Sequence, residues 1–120
     1  MAHILIVDDS PTEIHVIKSI LEKTGHEVSF ATNGEEGVSK TKEIMPDLVL
    51  MDVVMPGLNG FQATRELSKT PETAEIPVII VTTKDQESDR VWGLRQGAKE
   101  YVTKPVEEAE LMAKVSALIG

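Results

Sequence analysis

Asp8, Asp9, Asp52, Thr82 and Lys104 are the residues whose types and spacing could do chemistry together. Each follows an apolar or β-prone run. Ile4-Leu5-Ile6-Val7 leads into Asp8-Asp9, and Leu48-Val49-Leu50-Met51 leads into Asp52. Pro77-Val78-Ile79-Ile80-Val81 leads into Thr82, and Glu100-Tyr101-Val102-Thr103 into Lys104. Three carboxylates gathered at one place repel one another. At an effective dielectric of about 20, two unit charges about 4 Å apart cost roughly 4 kcal/mol. Such a cluster either retains protons or holds a cation. Hard divalent cations take oxygen ligands, and Mg²⁺ in particular uses one or two carboxylates, keeps waters and meets phosphate. The Lys104 ammonium can neutralise part of the cluster or hold a phosphoryl oxygen, and the Thr82 hydroxyl can donate to the same oxygen. An ionised Asp52 needs no general base to act as a nucleophile. Together the set suits phosphoryl transfer onto Asp52. Singly, each residue has a plainer reading as a cap, a turn residue or a solvated charge.

The elements that must position these residues follow from the pattern. Runs of four apolar residues without alternation predict strands buried on both faces, as in a parallel sheet. Ser10-Pro11-Thr12-Glu13 reads as a helix start, with Ser10 as N-cap, Pro11 in the first position and Glu13 closing a capping box. Ile14, Ile17 and Leu21 give that helix one apolar face, and Gly25 ends it. Val28 to Ala31 is a weaker strand suited to a sheet edge. Asn33-Gly34-Glu35-Glu36 opens a second helix to about Ile44, stopped by Met45-Pro46. Further helices are predicted over about Leu58 to Ser68 and Gln86 to Gln96, with Gly97 as a stop. In the second of these, Val91 and Leu94 are expected to face the sheet and Trp92 to lie on a flank. The last helix carries Leu111, Val115 and Leu118 on one face. Alternating strands and helices predict an α/β fold, a five-stranded parallel sheet with helices on both faces. Four of its five strands then deliver an ionic or hydroxyl residue to the same edge, where ligands of open α/β sheets bind.

Composition bounds the function. The chain has 120 residues, enough for one domain with a real core, at 41% hydrophobic and 27% charged. It has no cysteine, which excludes disulfides, thiolate catalysis and cysteine-based zinc sites. Twelve basic against twenty acidic residues give a net charge of −8. With no Lys/Arg cluster, nucleic acid is not an expected partner. No apolar stretch is long enough to insert in a membrane, and the N-terminus lacks a signal-peptide pattern. A cytoplasmic location is expected. The three histidines are scattered without ligand spacing, and the methionines read as core or turn fillers.

Val7-Asp8-Asp9-Ser10, Leu50-Met51-Asp52-Val53-Val54-Met55-Pro56-Gly57 with Gly60, Val81-Thr82, and Gly97-Ala98-Lys99-Glu100-Tyr101-Val102-Thr103-Lys104-Pro105 resemble the receiver domains of two-component response regulators. The resemblance spans essentially the whole chain, so residues 1–120 are expected to be one receiver domain with no effector domain. It implies a flavodoxin-like (βα)5 sheet of order 2-1-3-4-5, for which a receiver is a standing example. It implies a phosphoryl group accepted on Asp52 from a histidine kinase or phosphotransfer domain. It implies Mg²⁺ on Asp9, Asp52 and the Val54 carbonyl, with Asp8 acting through metal-bound water. Lys104 would pair with the phosphoryl oxygen, across a cis bond to Pro105. Thr82 would move toward the phosphate and Tyr101 would turn inward behind it. The fourth helix, fifth strand and fifth helix would then report to a downstream protein. Gly57-Leu58-Asn59-Gly60-Phe61-Gln62-Ala63-Thr64-Arg65, Val81-Thr82-Thr83-Lys84-Asp85-Gln86-Glu87 and Trp92-Gly93 are most similar to stand-alone receivers of type IV pilus twitching motility. Chemotaxis receivers share most of this pattern.

Two positions depart from the family. Thr83 stands where Ala or Gly commonly leaves an open approach to the acceptor, so slower phosphorylation by small donors is expected. Val54 has no polar side chain to orient an attacking water, so a moderately long-lived aspartyl phosphate is expected. Three other functions remain. An aspartyl phosphatase would need a second acid two residues after Asp52, where Val54 stands. A flavin-binding fold would need a hydroxyl- and glycine-rich first loop, where Asp8-Asp9 stands. A phosphate sink, or a phosphorylation-independent interaction domain, would share the fold. A monomer is expected because no extended apolar helix face is left over.

Overall fold

In the computed structural model, which describes residues 1–120, ten elements alternate along the chain. They are β1 (His3–Val7), α1 (Pro11–Glu22), β2 (Glu27–Ala31), α2 (Gly34–Ile44), β3 (Leu48–Met51), α3 (Gly60–Lys69), β4 (Val78–Thr82), α4 (Glu87–Arg95), β5 (Glu100–Thr103) and α5 (Glu108–Ile119). The five strands form one sheet of order β2-β1-β3-β4-β5, every pair parallel. The α/β, flavodoxin-like class and strand order are those expected from the sequence.

The apolar runs are explained by burial on both faces. Ile4, Ile6, Leu48, Leu50, Ile79 and Val81 pack with Ile14, Ile17 and Leu21 of α1 and Leu111 and Val115 of α5. The alternate residues Leu5, Val7, Val49, Met51 and Val78 pack with Val38 of α2 and Ala63 and Leu67 of α3. A third cluster of Val53, Phe61, Ile80, Ala98 and Tyr101 lies near the acceptor edge. Each fully buried aliphatic side chain contributes roughly 2 kcal/mol. A lysine covers part of each edge strand. Lys40 Nζ donates to the Phe30 carbonyl of β2 at 2.9 Å, and Lys114 Nζ to the Tyr101 carbonyl of β5 at 3.3 Å. Lysines placed this way discourage strand addition.

The structure corrects several local expectations. Ser10 caps α1 by accepting from Glu13 N–H at 3.3 Å, but Glu13 does not close the box. The Ser10 N–H instead donates to Asp8 Oδ1 at 2.9 Å. Helix α3 starts at Gly60 rather than near Leu58, because Asn59 and Gln62 form a reciprocal capping box. Val91 and Leu94 do not face the sheet: with Trp92 they are 42%, 44% and 49% exposed. Gly93 is the buried residue of α4, since a Cβ there would lie 2.8 Å from Ile80 Cδ1. That exposed trio removes the reason for expecting a monomer. Met51 and Met55 are buried, whereas Met1 and Met45 are exposed.

Candidate functional site

Backbone pairing carries the acidic residues to one edge. Asp8 N–H donates to the Ala31 carbonyl at 3.0 Å and Asp52 N–H to the Val7 carbonyl at 2.9 Å, extending β1 and β3 by one residue. Lys104 N–H donates to the Thr82 carbonyl at 2.8 Å, which brings the start of the β5–α5 loop beside the end of β4. The Lys104–Pro105 peptide is cis.

Carboxylate oxygens of Asp8, Asp9 and Asp52 all lie within 4.8 Å of one another. Asp8 and Asp52 are buried and Asp9 is exposed, so the cluster has a dry floor and an open mouth. Lys104 Nζ reaches Asp8 Oδ2 at 2.8 Å and Asp52 Oδ2 at 3.4 Å. Asp52 Oδ1 accepts from the Val53 N–H at 2.7 Å. Burial pushes the Asp52 pKa above the ordinary carboxylate range. The Lys104 ammonium opposes this, Asp8 adds to it, and the Thr82 hydroxyl and Val53 amide oppose it. Burial pulls the Lys104 pKa down, but the Asp8 hydrogen bond and the Asp52 charge together lift it above its usual value. One ammonium thus faces three carboxylates. The donor set is all oxygen and remains net negative, which fits a hard divalent cation.

Thr82 is fully buried at the end of β4, and its Oγ1 accepts from Lys84 N–H at 3.4 Å. Tyr101 is 1% exposed, and its hydroxyl donates to the Lys84 carbonyl at 2.7 Å. The ring lies under Gly93, with the Arg90 guanidinium 5.3 Å from its centroid. Tyr101 therefore already points inward, where the sequence suggested that it turns in with phosphorylation. Burial, with Asp89 nearby, pushes its pKa up to about 12. Val54 is 57% exposed beside the carboxylates on the β3–α3 loop, and Thr83 is exposed after β4.

The family model for the response regulator receiver domain matches residues 4–116. The chain belongs to the response regulator receiver family. It is 61% identical over 120 residues to Protein PilH of Pseudomonas aeruginosa, covering 100% of this chain and 99% of that protein. It is 38% identical to the response regulator PleD of Caulobacter vibrioides, covering 98% of this chain but 26% of PleD. Among solved structures, a putative response regulator from Chloroflexus aurantiacus superposes with a TM-score of 0.94 at 30% identity, covering 98% of this chain and 97% of that one. The receiver domain of a sensor histidine kinase from Pseudomonas aeruginosa, solved with a magnesium ion coordinated in its active-site cleft, gives 0.91 at 32% identity, with 99% and 98% coverage. Receivers are signalling domains of two-component systems rather than conventional enzymes. No helix of this chain is long and apolar enough to cross a membrane.

The structure brings Asp8, Asp9, Asp52 and Lys104 together, with Thr82 and Val54 alongside and Tyr101 one layer behind. Sequence reasoning missed the Arg90 and Lys84 contacts to Tyr101: a nonperiodic α4 offers no signal for the first, and the second is made by a backbone carbonyl of the β4–α4 loop. It also missed the role of the α2 start. Asn33-Gly34-Glu35-Glu36 reads as a cap alone, yet it abuts the loop that follows Asp52.

Proposed function

We propose that this chain is a stand-alone receiver that takes a phosphoryl group onto Asp52 from the phosphohistidine of a histidine kinase or phosphotransfer domain. The observation that carries this is a buried acceptor carboxylate at a strand end, held between one ammonium and two further carboxylates. The Asp52 oxygen forms a bond to phosphorus as the donor's P–N bond breaks, and the electron pair returns to the imidazole nitrogen. Lys104 holds a phosphoryl oxygen, and the Thr82 hydroxyl donates to the same oxygen. Asp9, Asp52 and the Val54 carbonyl would hold Mg²⁺, with Asp8 reaching it through water. The cation, when bound, supplies positive charge at the transferring phosphoryl oxygens. No dedicated base is required, because the nucleophile reacts as its carboxylate.

The full-length likeness to PilH supports a role in type IV pilus twitching motility, as one domain working in the cytoplasm. Output passes through α4, β5 and α5 to a downstream protein, a reading supported by the exposed Val91, Trp92 and Leu94. The test is phosphotransfer from a radiolabelled histidine kinase or phosphotransfer domain in Mg²⁺. Label should move to this chain and fail to move to Asp52→Asn. A chain that takes no label from any cognate donor is an interaction domain, and the proposal is then wrong.

A further inference from the structure

We infer that Glu35 is a positioning residue for the β3–α3 loop, setting the affinity of the acidic site for its cation. This rests on the receiver reading, and it concerns a residue that touches none of the reacting groups.

Two contacts bracket the Val54 stretch of the loop from Asp52 to Asn59. At its far end, Gly60 N–H donates to the Val53 carbonyl at 3.0 Å. A Cβ at Gly60 would overlap the Asp52 carbonyl oxygen, so the start of α3 lies directly on the acceptor's backbone. On its outer side the loop meets the first turn of α2. Glu35 Oε2 accepts the Leu58 N–H at 3.1 Å. A Cβ at Gly34 would overlap the Leu58 carbonyl oxygen. A Cβ at Gly57, where φ is +74°, would lie 2.9 Å from the same Glu35 Oε2. Two glycines, one on each side, thus allow an approach in which a carboxylate grips a single loop amide. Glu36, the neighbouring acid, is committed elsewhere, since its Oε1 accepts the Thr32 N–H at 2.7 Å. The two glutamates of this helix start have separate tasks.

Val54 lies between the two anchors and is exposed, with the buried Met55 behind it. Its carbonyl, like the Asp9 carboxylate, lies beyond the strand ends. With the Glu35 grip released, the outer half of the loop keeps the packing of Met55 and the partly buried Leu58 against the α2–α3 core and the Asn59 N–H bond to Gln62 Oε1 at 3.0 Å, but the Leu58 amide loses its partner. Binding a cation must then order the loop as well, which weakens apparent affinity. Removing the acceptor of one charge-assisted hydrogen bond at an exposed position should weaken cation binding about fivefold.

The experiment compares the unaltered chain with Glu35→Ala, Glu35→Gln and Gly34→Ala. Mg²⁺ affinity is measured by calorimetry, and exchange of the Leu58 amide by NMR in metal-free protein. Glu35→Ala should speed Leu58 exchange and weaken Mg²⁺ about fivefold. Glu35→Gln keeps an acceptor and should restore most of both, which separates the grip from the loss of a nearby negative charge. Gly34→Ala pushes the Leu58 carbonyl and should weaken Mg²⁺ with Glu35 still present. Equal Mg²⁺ affinity in the unaltered chain and Glu35→Ala overturns the inference, whatever the exchange rate does. Equal weakening by Ala and Gln overturns it in favour of simple charge. Failure of the unaltered chain to bind Mg²⁺ at all is a different result, which removes the receiver reading itself and this inference with it.

Discussion

Replacing Lys104 with Met tests how the acidic site balances its charge. The Lys104, Asp8 and Asp52 side chains are 8%, 2% and 8% exposed, so both ion pairs are sheltered from water. Removing one partner of a buried pair costs about 3–5 kcal/mol, because the remaining charge is left desolvated and uncompensated. Two features hold the cost to the lower end of that range. Asp9 is exposed and keeps its hydration. Asp52 titrates above the ordinary carboxylate range and can take up a proton once the ammonium is gone. Lys104→Met should therefore lose about 3 kcal/mol in urea unfolding at neutral pH with a chelator present. In a domain of this size that is a fall of roughly 12 °C in Tm. The sign of the pH dependence follows from Asp52. Its raised folded pKa means that its ionised form burdens the folded state, so folding strengthens as pH falls and Asp52 protonates. Without Lys104 that gain should grow, and the deficit against the unaltered chain should shrink toward pH 5. Millimolar Mg²⁺ should also recover part of the loss. A deficit below about 1 kcal/mol, or one that neither acid nor Mg²⁺ reduces, would refute this electrostatic account.

Three further predictions concern the switch region. Tyr101 is the only tyrosine, so phenolate absorbance reads it alone; its midpoint should be about 12 in folded protein. Stability should then fall as pH rises from about 10, the ordinary value, through about 12, and Tyr101→Phe should lose that dependence. Gly93→Ala places a Cβ 2.8 Å from Ile80 Cδ1 and 3.2 Å from the Tyr101 ring. Overpacking costs about 1–3 kcal/mol and helix propensity returns about 1, so a net loss near 1 kcal/mol is expected in urea unfolding; a gain would show that the Tyr101 pocket yields. Thr83→Ala should raise the rate of phosphorylation by acetyl phosphate severalfold, and an unchanged rate would show that the exposed Thr83 does not narrow the approach.

Much of this was legible in the chain because a doubly covered parallel sheet leaves a plain signature. Ile4-Leu5-Ile6-Val7 and Leu48-Val49-Leu50-Met51 are apolar at consecutive positions since helices cover both faces, and their last residues share an edge by topology alone. The Asp8, Asp9, Asp52 and Lys104 cluster could be read for that reason. Helix α4 was misread because its burial rests on Gly93, a residue without a side chain, while its large apolar residues point outward. Periodicity finds apolar faces only where side chains do the packing. Asp8 taking the Ser10 amide in place of Glu13 was hidden for a related reason. Two acceptors compete for one donor, and tertiary placement of the strand end decides between them. Glu35 was hidden because its contact runs between segments 23 residues apart.

If Asp52 is the phosphoryl acceptor, the intact mass of the chain must show it. The chain would be incubated with acetyl phosphate, with Mg²⁺ or with a chelator, alongside Asp52→Asn. A gain of one phosphoryl group is expected with Mg²⁺, none with the chelator, and none in Asp52→Asn. Thr83→Ala in parallel removes the possibility that a small donor is simply kept out. A gain that survives in Asp52→Asn, or none in either the unaltered chain or Thr83→Ala, would contradict it.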